Sequence, residues 1–210
     1  RISINPQSMK ERTLELIGRS HKPMDIIDAF QKADEAEISM VNADVIAGLP
    51  EEEQKDFAET LREILVLNAE NITVHTLAVK RASRLVEMDK DYHYRQAEKV
   101  RKMLEISKKM MAEAGFRPYY LYRQKHMAGA FENVGYCKEG TPCIYNIRIM
   151  EERQTILALG AGGISKMYYP DENRLERVPN VSNYEIYISR LDEMMDRKEK
   201  NIFMEVEKGC

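Results

Sequence analysis

The stretch 38-ISMVNADVIAGLP-50 decides the fold. Its Val- and Ile-rich centre reads as a β-strand that stops at Gly48-Leu49-Pro50, before an amphipathic stretch at 52–67. Proline at or just before a helix start is favourable, because its missing N–H has no partner to lose there. Strand alternation sets Asn42 and Asp44 on one side and Val41, Ala43 and Val45 on the other. Upstream, 1-RISINPQS-8 begins with a strand at 1–5, with Ser3, Asn5 and Gln7 on one side and Ile2 and Ile4 on the other. A helical period follows through Met9, Leu14 and Ile17, with Gly18 where a C-terminal cap stands, and then a second helix at 24–35. Downstream come a third strand, ITVHTLAV at 72–79, a long helix at 92–113 ending at Gly115, and a fourth strand, PYYLYR at 118–123.

Strands separated by helices of this length predict βαβ units and a parallel sheet, because parallel neighbours need a crossover. The chain therefore reads as α/β over 1–126, with a small α+β region at 127–210. That second region is expected to hold a short strand at 143–149, a glycine cluster, and the hairpin ISKMYYP-DEN-RLERVPN. A final helix would be opened by Ser182, with Glu185 three residues on, as a capping box. Helices on one face of a sheet leave its polar face to meet water, a ligand or a polar partner. A few satisfied polar residues near strand ends fit the same pattern.

Composition sets the outer limits. With 210 residues, 43% hydrophobic and 32% charged content and a net charge of -3, the chain is an ordinary globular one. Acidic residues lie near the clusters Lys108-Lys109 and Arg197-Lys198, so these read as solvated helix faces and no nucleic-acid partner is expected. No apolar run approaches the ~18 residues of a membrane span, and the first residues do not resemble a signal peptide, so a cytoplasmic setting without membrane attachment is expected. Three cysteines, Cys137, Cys143 and Cys210, are too few for a disulfide framework.

Taken in order, RISINPQS, NADVIAGLP and TVHTLAVKR, followed by LGAGGIS at 159–165, resemble the back half of the radical S-adenosylmethionine barrel of oxygen-independent coproporphyrinogen III oxidases and dehydrogenases. TVHTLAVKRAS and YYLYRQKHMAG are most similar to the Firmicutes-type branch of that family. The resemblance implies the C-terminal part of a (β/α)6 partial TIM barrel followed by the small α+β region. It also implies a set of S-adenosylmethionine contacts. Gln7 matches the family glutamine at the end of its strand, Arg19 an arginine just beyond the first helix, and Asp44 the aspartate before I-x-G-L-P. Ala78 falls at a backbone contact after the third strand, and Ile164 matches the isoleucine of the late glycine segment. These residue types suit the ligand: a carboxylate accepts from an amino group or hydroxyl, an amide donates and accepts, and a guanidinium pairs with a carboxylate. Without the resemblance, Arg19 reads as a cation complementing the helix dipole.

The implied reaction is oxidative decarboxylation of two propionates of coproporphyrinogen III, begun by a 5'-deoxyadenosyl radical, with an electron-donor protein as partner. A related branch of the family is a haem-binding chaperone, the alternative reading. The family's [4Fe-4S] cluster needs a C-x3-C-x2-C loop, which this sequence lacks. The chain is therefore expected to be the C-terminal part of a longer protein, without the cluster and inactive by itself. Cys137 and Cys143 read either as an auxiliary redox or metal pair or as two unreactive thiols near a turn. His75 reads as a lumen-facing proton relay or porphyrin contact, or as a hydrogen-bonded core histidine. Tyr119, Tyr120 and Tyr122 alternate on their strand and either line the lumen or pack beneath it.

Overall fold

The computed structural model describes residues 1–78, 96–123 and 131–200, in two compact units, Arg1–Cys143 and Ile144–Cys210. In the first unit β1 (Ile2–Gln7) is followed by α1 (Glu11–Leu16), α2 (Pro23–Glu35), β2 (Val41–Ala47), α3 (Gln54–Val66) and β3 (Asn71–Thr76). After β3 come α4 (Ala97–Glu113), β4 (Arg117–Tyr122) and β5 (Asn133–Cys137). One sheet has the order β1-β2-β3-β5-β4. The β1/β2 and β2/β3 pairs are parallel, as the helical crossovers require.

The covered face is the row that alternation assigned to the interior. Val41, Ala43, Val45 and Ala47 of β2 and Ile72 and Val74 of β3 are buried, with Phe57, Leu61 and Ile64 of α3 and Val100 and Met103 of α4 in the same core. Each such large side chain contributes about 1.5–3 kcal/mol of burial. Gly48 ends β2 with φ of 88°, and a Cβ there would lie 2.6 Å from Val100 Cγ2. Its bare backbone is what lets α4 close over the strand end.

The parallel reading does not extend to the whole sheet. β4 does not follow β3 as its neighbour; β5 lies between them, antiparallel to both. Residues 133–137 read as loop in the sequence because NVGYC is short and carries a glycine. Conversely, the strand expected at 143–149 is a helix, α5 (Ile144–Glu151). Its β-branched content favours a strand only where a neighbouring strand offers pairing, whereas a helix closes its hydrogen bonds locally.

In the second unit α5 precedes the expected hairpin, β6 (Ile164–Tyr169) with β7 (Arg174–Pro179), paired from Ile164↔Pro179 to Tyr169↔Arg174. The final helix is two, α6 (Tyr184–Ser189) and α7 (Leu191–Lys198). Its cap is Asn183, not Ser182: the Asn183 side-chain oxygen accepts from Ile186 N at 2.9 Å. Asn serves at this position as well as Ser does. Within this unit buried Lys198 donates to Asn180 Oδ1 at 2.6 Å, and Asn180 Nδ2 donates to Gly160 O at 2.7 Å, tying α7 to the glycine loop. Residues 79 of the third predicted strand and 92–95 of the long predicted helix lie outside the described residues.

Candidate functional site

The sheet face opposite the helices is polar, and its register explains why the polar groups meet. Asp44 is level with Thr73, Thr73 with Gly135, and Gly135 with Tyr120, so one transverse row runs across β2, β3, β5 and β4. Gly135 is the gap in that row. A Cβ there would lie 1.8 Å from Tyr120 Cε1, so the Tyr120 ring lies across the glycine. Its hydroxyl thereby comes within 3.2 Å of Thr73 Oγ1 on the far side.

Two chains of polar contacts end on Asp44, the first made of hydrogen bonds and the second closing on it at ion-pair distance. In the first, Thr73 Oγ1 donates to Asn42 Oδ1 at 3.2 Å, which leaves the Tyr120 hydroxyl as donor to Thr73. Asn42 Nδ2 then donates to Asp44 Oδ1 at 2.7 Å, with a longer bond to Ser3 Oγ at 3.4 Å. In the second, the Tyr122 hydroxyl lies 3.2 Å from His75 Nδ1, and His75 Nε2 lies 3.5 Å from Asp44 Oδ2. Because a carboxylate only accepts, Nε2 carries the proton that faces it. Each chain begins on a tyrosine of β4, and the Tyr120 and Tyr122 rings are stacked at 6.2 Å with planes 4° apart.

These donors set the electrostatics. Burial pushes the Asp44 carboxyl toward the neutral acid, yet the contacts with His75 and Asn42 and the charge interaction with His75 outweigh it, leaving the pKa below 3.8. Hydrogen bonds to the charged form favour that form. Tyr120 moves the other way, pushed up to about 12 chiefly by burial, and so stays a neutral donor. The result is an ionised carboxylate, 22% exposed, with both oxygens held from behind. Such a group can accept from an ammonium, amide or hydroxyl presented from the open side.

The other residues named from the sequence stand at different distances from this centre. Gln7 ends β1, but a bulge between Ile4 and Gln7 breaks the alternation that grouped it with Ser3: its register partner is Val45, a residue of the covered row. It has φ of 66°, is buried, and its amide reaches Asn5 O at 3.5 Å. Arg19 is exposed in the loop after α1. That loop runs close to the same strand end, since the ring of His21 lies 3.4 Å from Pro6 O. Ala78 is half-buried just past β3, whose end is fastened by Leu77 N donating to Ala47 O at 3.0 Å. Gln7 thus ends β1, Asp44 stands midway along β2 and Ala78 lies just past β3, on neighbouring strands. Ile164, exposed at the start of β6, belongs to the second unit.

Sequence reasoning missed one buried acid. Glu52 is 1% exposed, and the hydroxyl of Ser8, the residue after Gln7, donates to it in a short bond. Burial raises its pKa, with Ser8 and Thr13 opposing. Nothing distinguished it within the run Glu51-Glu52-Glu53, where the amphipathic stretch at 52–67 begins. Cys137 and Cys143 are buried, burial raises the Cys137 pKa, and among the described residues no three His, Cys, Asp or Glu side chains converge as a metal set.

The chain is 40% identical over 200 residues to the oxygen-independent coproporphyrinogen-III oxidase-like protein HemZ of Bacillus subtilis, covering 95% of this chain and 40% of that protein. It is a homologue of part of the oxygen-independent coproporphyrinogen-III oxidase-like proteins. The heme chaperone HemW of Escherichia coli is 25% identical over 175 residues, 81% of this chain and 41% of that one. Among solved structures, coproporphyrinogen III oxidase (HemN) from Escherichia coli, a radical SAM enzyme, matches with a TM-score of 0.61 at 16% identity over 91% of this chain and 43% of that one. That likeness shows a shared α/β fold. No family model matches the chain. The chain spans about 40% of the length of the curated relatives it matches.

Proposed function

We propose that the longer protein to which this chain corresponds is a cytoplasmic radical S-adenosylmethionine enzyme that decarboxylates coproporphyrinogen III to protoporphyrinogen IX without oxygen. Its [4Fe-4S] cluster would be held outside these 210 residues and reduced by a donor protein. The observation that carries the reading is Asp44: a carboxylate kept ionised on the open sheet face, in a chain 40% identical to a coproporphyrinogen-III oxidase-like protein. S-adenosylmethionine, when bound, supplies the hydrogen-abstracting chemistry. The work of this chain's residues is binding and orientation. Asp44 would accept from the ligand's amino group or a ribose hydroxyl, and Arg19 would pair with its carboxylate from the loop beside β1. Gln7 would fill the strand end with its amide, and Ala78 would offer backbone. Holding a reactant in one geometry converts an encounter into an effectively unimolecular step, worth far more than the affinity alone.

Anaerobic reconstitution of the complete protein with iron, sulfide and a reductant, followed by measurement of 5'-deoxyadenosine and protoporphyrinogen IX, tests this. Both products should form. A loaded cluster with S-adenosylmethionine cleavage but no decarboxylated porphyrin contradicts the substrate. A second reading, haem transfer, is favoured by the similarity to heme chaperone HemW. Stoichiometric haem binding without decarboxylation would select it.

A further inference from the structure

We infer that His75 is a positioning residue for Asp44: its Nε2–H fixes the carboxylate that receives the ligand, and Tyr122 fixes the imidazole in turn. The inference rests on the proposed S-adenosylmethionine reading and assigns a role to a residue outside the contacts named above. Asp44 Oδ1 is fastened by Asn42 from its own strand, so that arm moves with β2. Oδ2 is met from β3 by His75, whose other nitrogen is met from β4 by Tyr122. The histidine arm reaches Oδ2 directly from a neighbouring strand, without passing through a residue of β2, and so bears on the rotation of the carboxylate about its side chain. The ring meets Tyr122 edge-on, with centroids 6.3 Å apart and planes at 75°, and this packing limits its swing. The side chains of His75 and Asp44 are 23% and 22% exposed, shielded enough for the bond to count and open enough for a ligand to reach the carboxylate. A lone core histidine would need partners, but it would not need both nitrogens committed along a line that ends on an ionised acceptor.

Glutamine can place its Nε2 where the histidine Nε2 stands, whereas phenylalanine keeps the ring and its contact with Tyr122 but donates nothing. S-adenosylmethionine binding to the complete protein, measured by isothermal titration for wild type, His75→Phe, His75→Gln and Tyr122→Phe, tests the inference. His75→Phe should weaken binding about tenfold, the scale of a lost bond to a charged group. His75→Gln should restore affinity to within about threefold of wild type, and Tyr122→Phe should fall between the two. Equal affinity of His75→Phe and wild type overturns the inference, as does equal loss in His75→Phe and His75→Gln with unchanged melting temperatures. Should His75→Phe fail to fold, His75→Gln and Tyr122→Phe decide by the same ordering. Absence of binding by wild type instead refutes the proposed function on which the inference rests.

Discussion

Replacing Gly135 with alanine should damage the sheet far more than a methyl group usually does. In a strand, alanine normally gains about 0.5–1 kcal/mol over glycine, because glycine loses more backbone freedom on folding. Here the added Cβ would lie 1.8, 2.3 and 2.7 Å from Cε1, Cδ1 and Cζ of Tyr120, so the ring must leave. Its departure removes the bond to Thr73, about 1 kcal/mol, and the stacking on Tyr122, about 1 kcal/mol more. Part of the ring's burial is lost with them, roughly another 1 kcal/mol. Set against the backbone gain, the net cost is about 2 kcal/mol. For a unit of this size that lowers the melting temperature by about 4–8 °C. Differential scanning fluorimetry of the complete protein reads this directly. Gly140→Ala is the control, since it opens onto free space and costs only the strain of its φ of 77°, about 1 kcal/mol. An unchanged or raised melting temperature for Gly135→Ala would refute the placement of Tyr120 over β5, and with it the first of the two chains that reach Asp44.

Other outcomes follow from the same contacts. Leu61 of α3 is fully buried, so Leu61→Ala should cost about 3 kcal/mol in urea unfolding; a loss under about 1 kcal/mol would contradict the core described. Glu52 has a raised pKa, so its folded carboxyl favours the acid, and stability falls as pH rises from about 4.5 through the raised value. Glu52→Gln keeps an acceptor for Ser8 and removes that penalty. Its melting temperature should gain on wild type as pH rises from about 4.5, and a pH-independent gap would contradict the assignment. Asp44 has the opposite sign: its contribution is present above pH 3.8 and is lost only as pH falls through its lowered value, so it leaves this window undisturbed.

The parallel core was legible because GLP punctuates β2 and because Val41, Ala43 and Val45 alternate with Asn42 and Asp44. Both signals are local. The sheet's far side was not legible: NVGYC carries no alternation long enough to announce β5, and Gly135 gains its meaning only from Tyr120, fifteen residues earlier in the chain. The strand-like composition of 144–151 misled for the complementary reason, since strand preference depends on a partner edge that the sequence does not display. At the site, Asp44 could be named from its motif, but its ionisation depends on His75, 31 residues on, and Asn42, two residues back. The β1 bulge likewise depends on pairing with β2, and simple alternation grouped Gln7 with Ser3 and Asn5 across it. Glu52 reads like its neighbours until the fold encloses it.

The decisive measurement is the affinity of the complete protein for S-adenosylmethionine before and after Asp44→Asn. The variant keeps the size of the side chain but removes the charge, and turns one accepting atom into a donor facing donors that already point at it. Wild type should bind with one-to-one stoichiometry, and Asp44→Asn should lose at least about tenfold in affinity while keeping most of its thermal stability. Wild-type affinity in a folded Asp44→Asn protein would contradict the claim that this carboxylate receives the ligand.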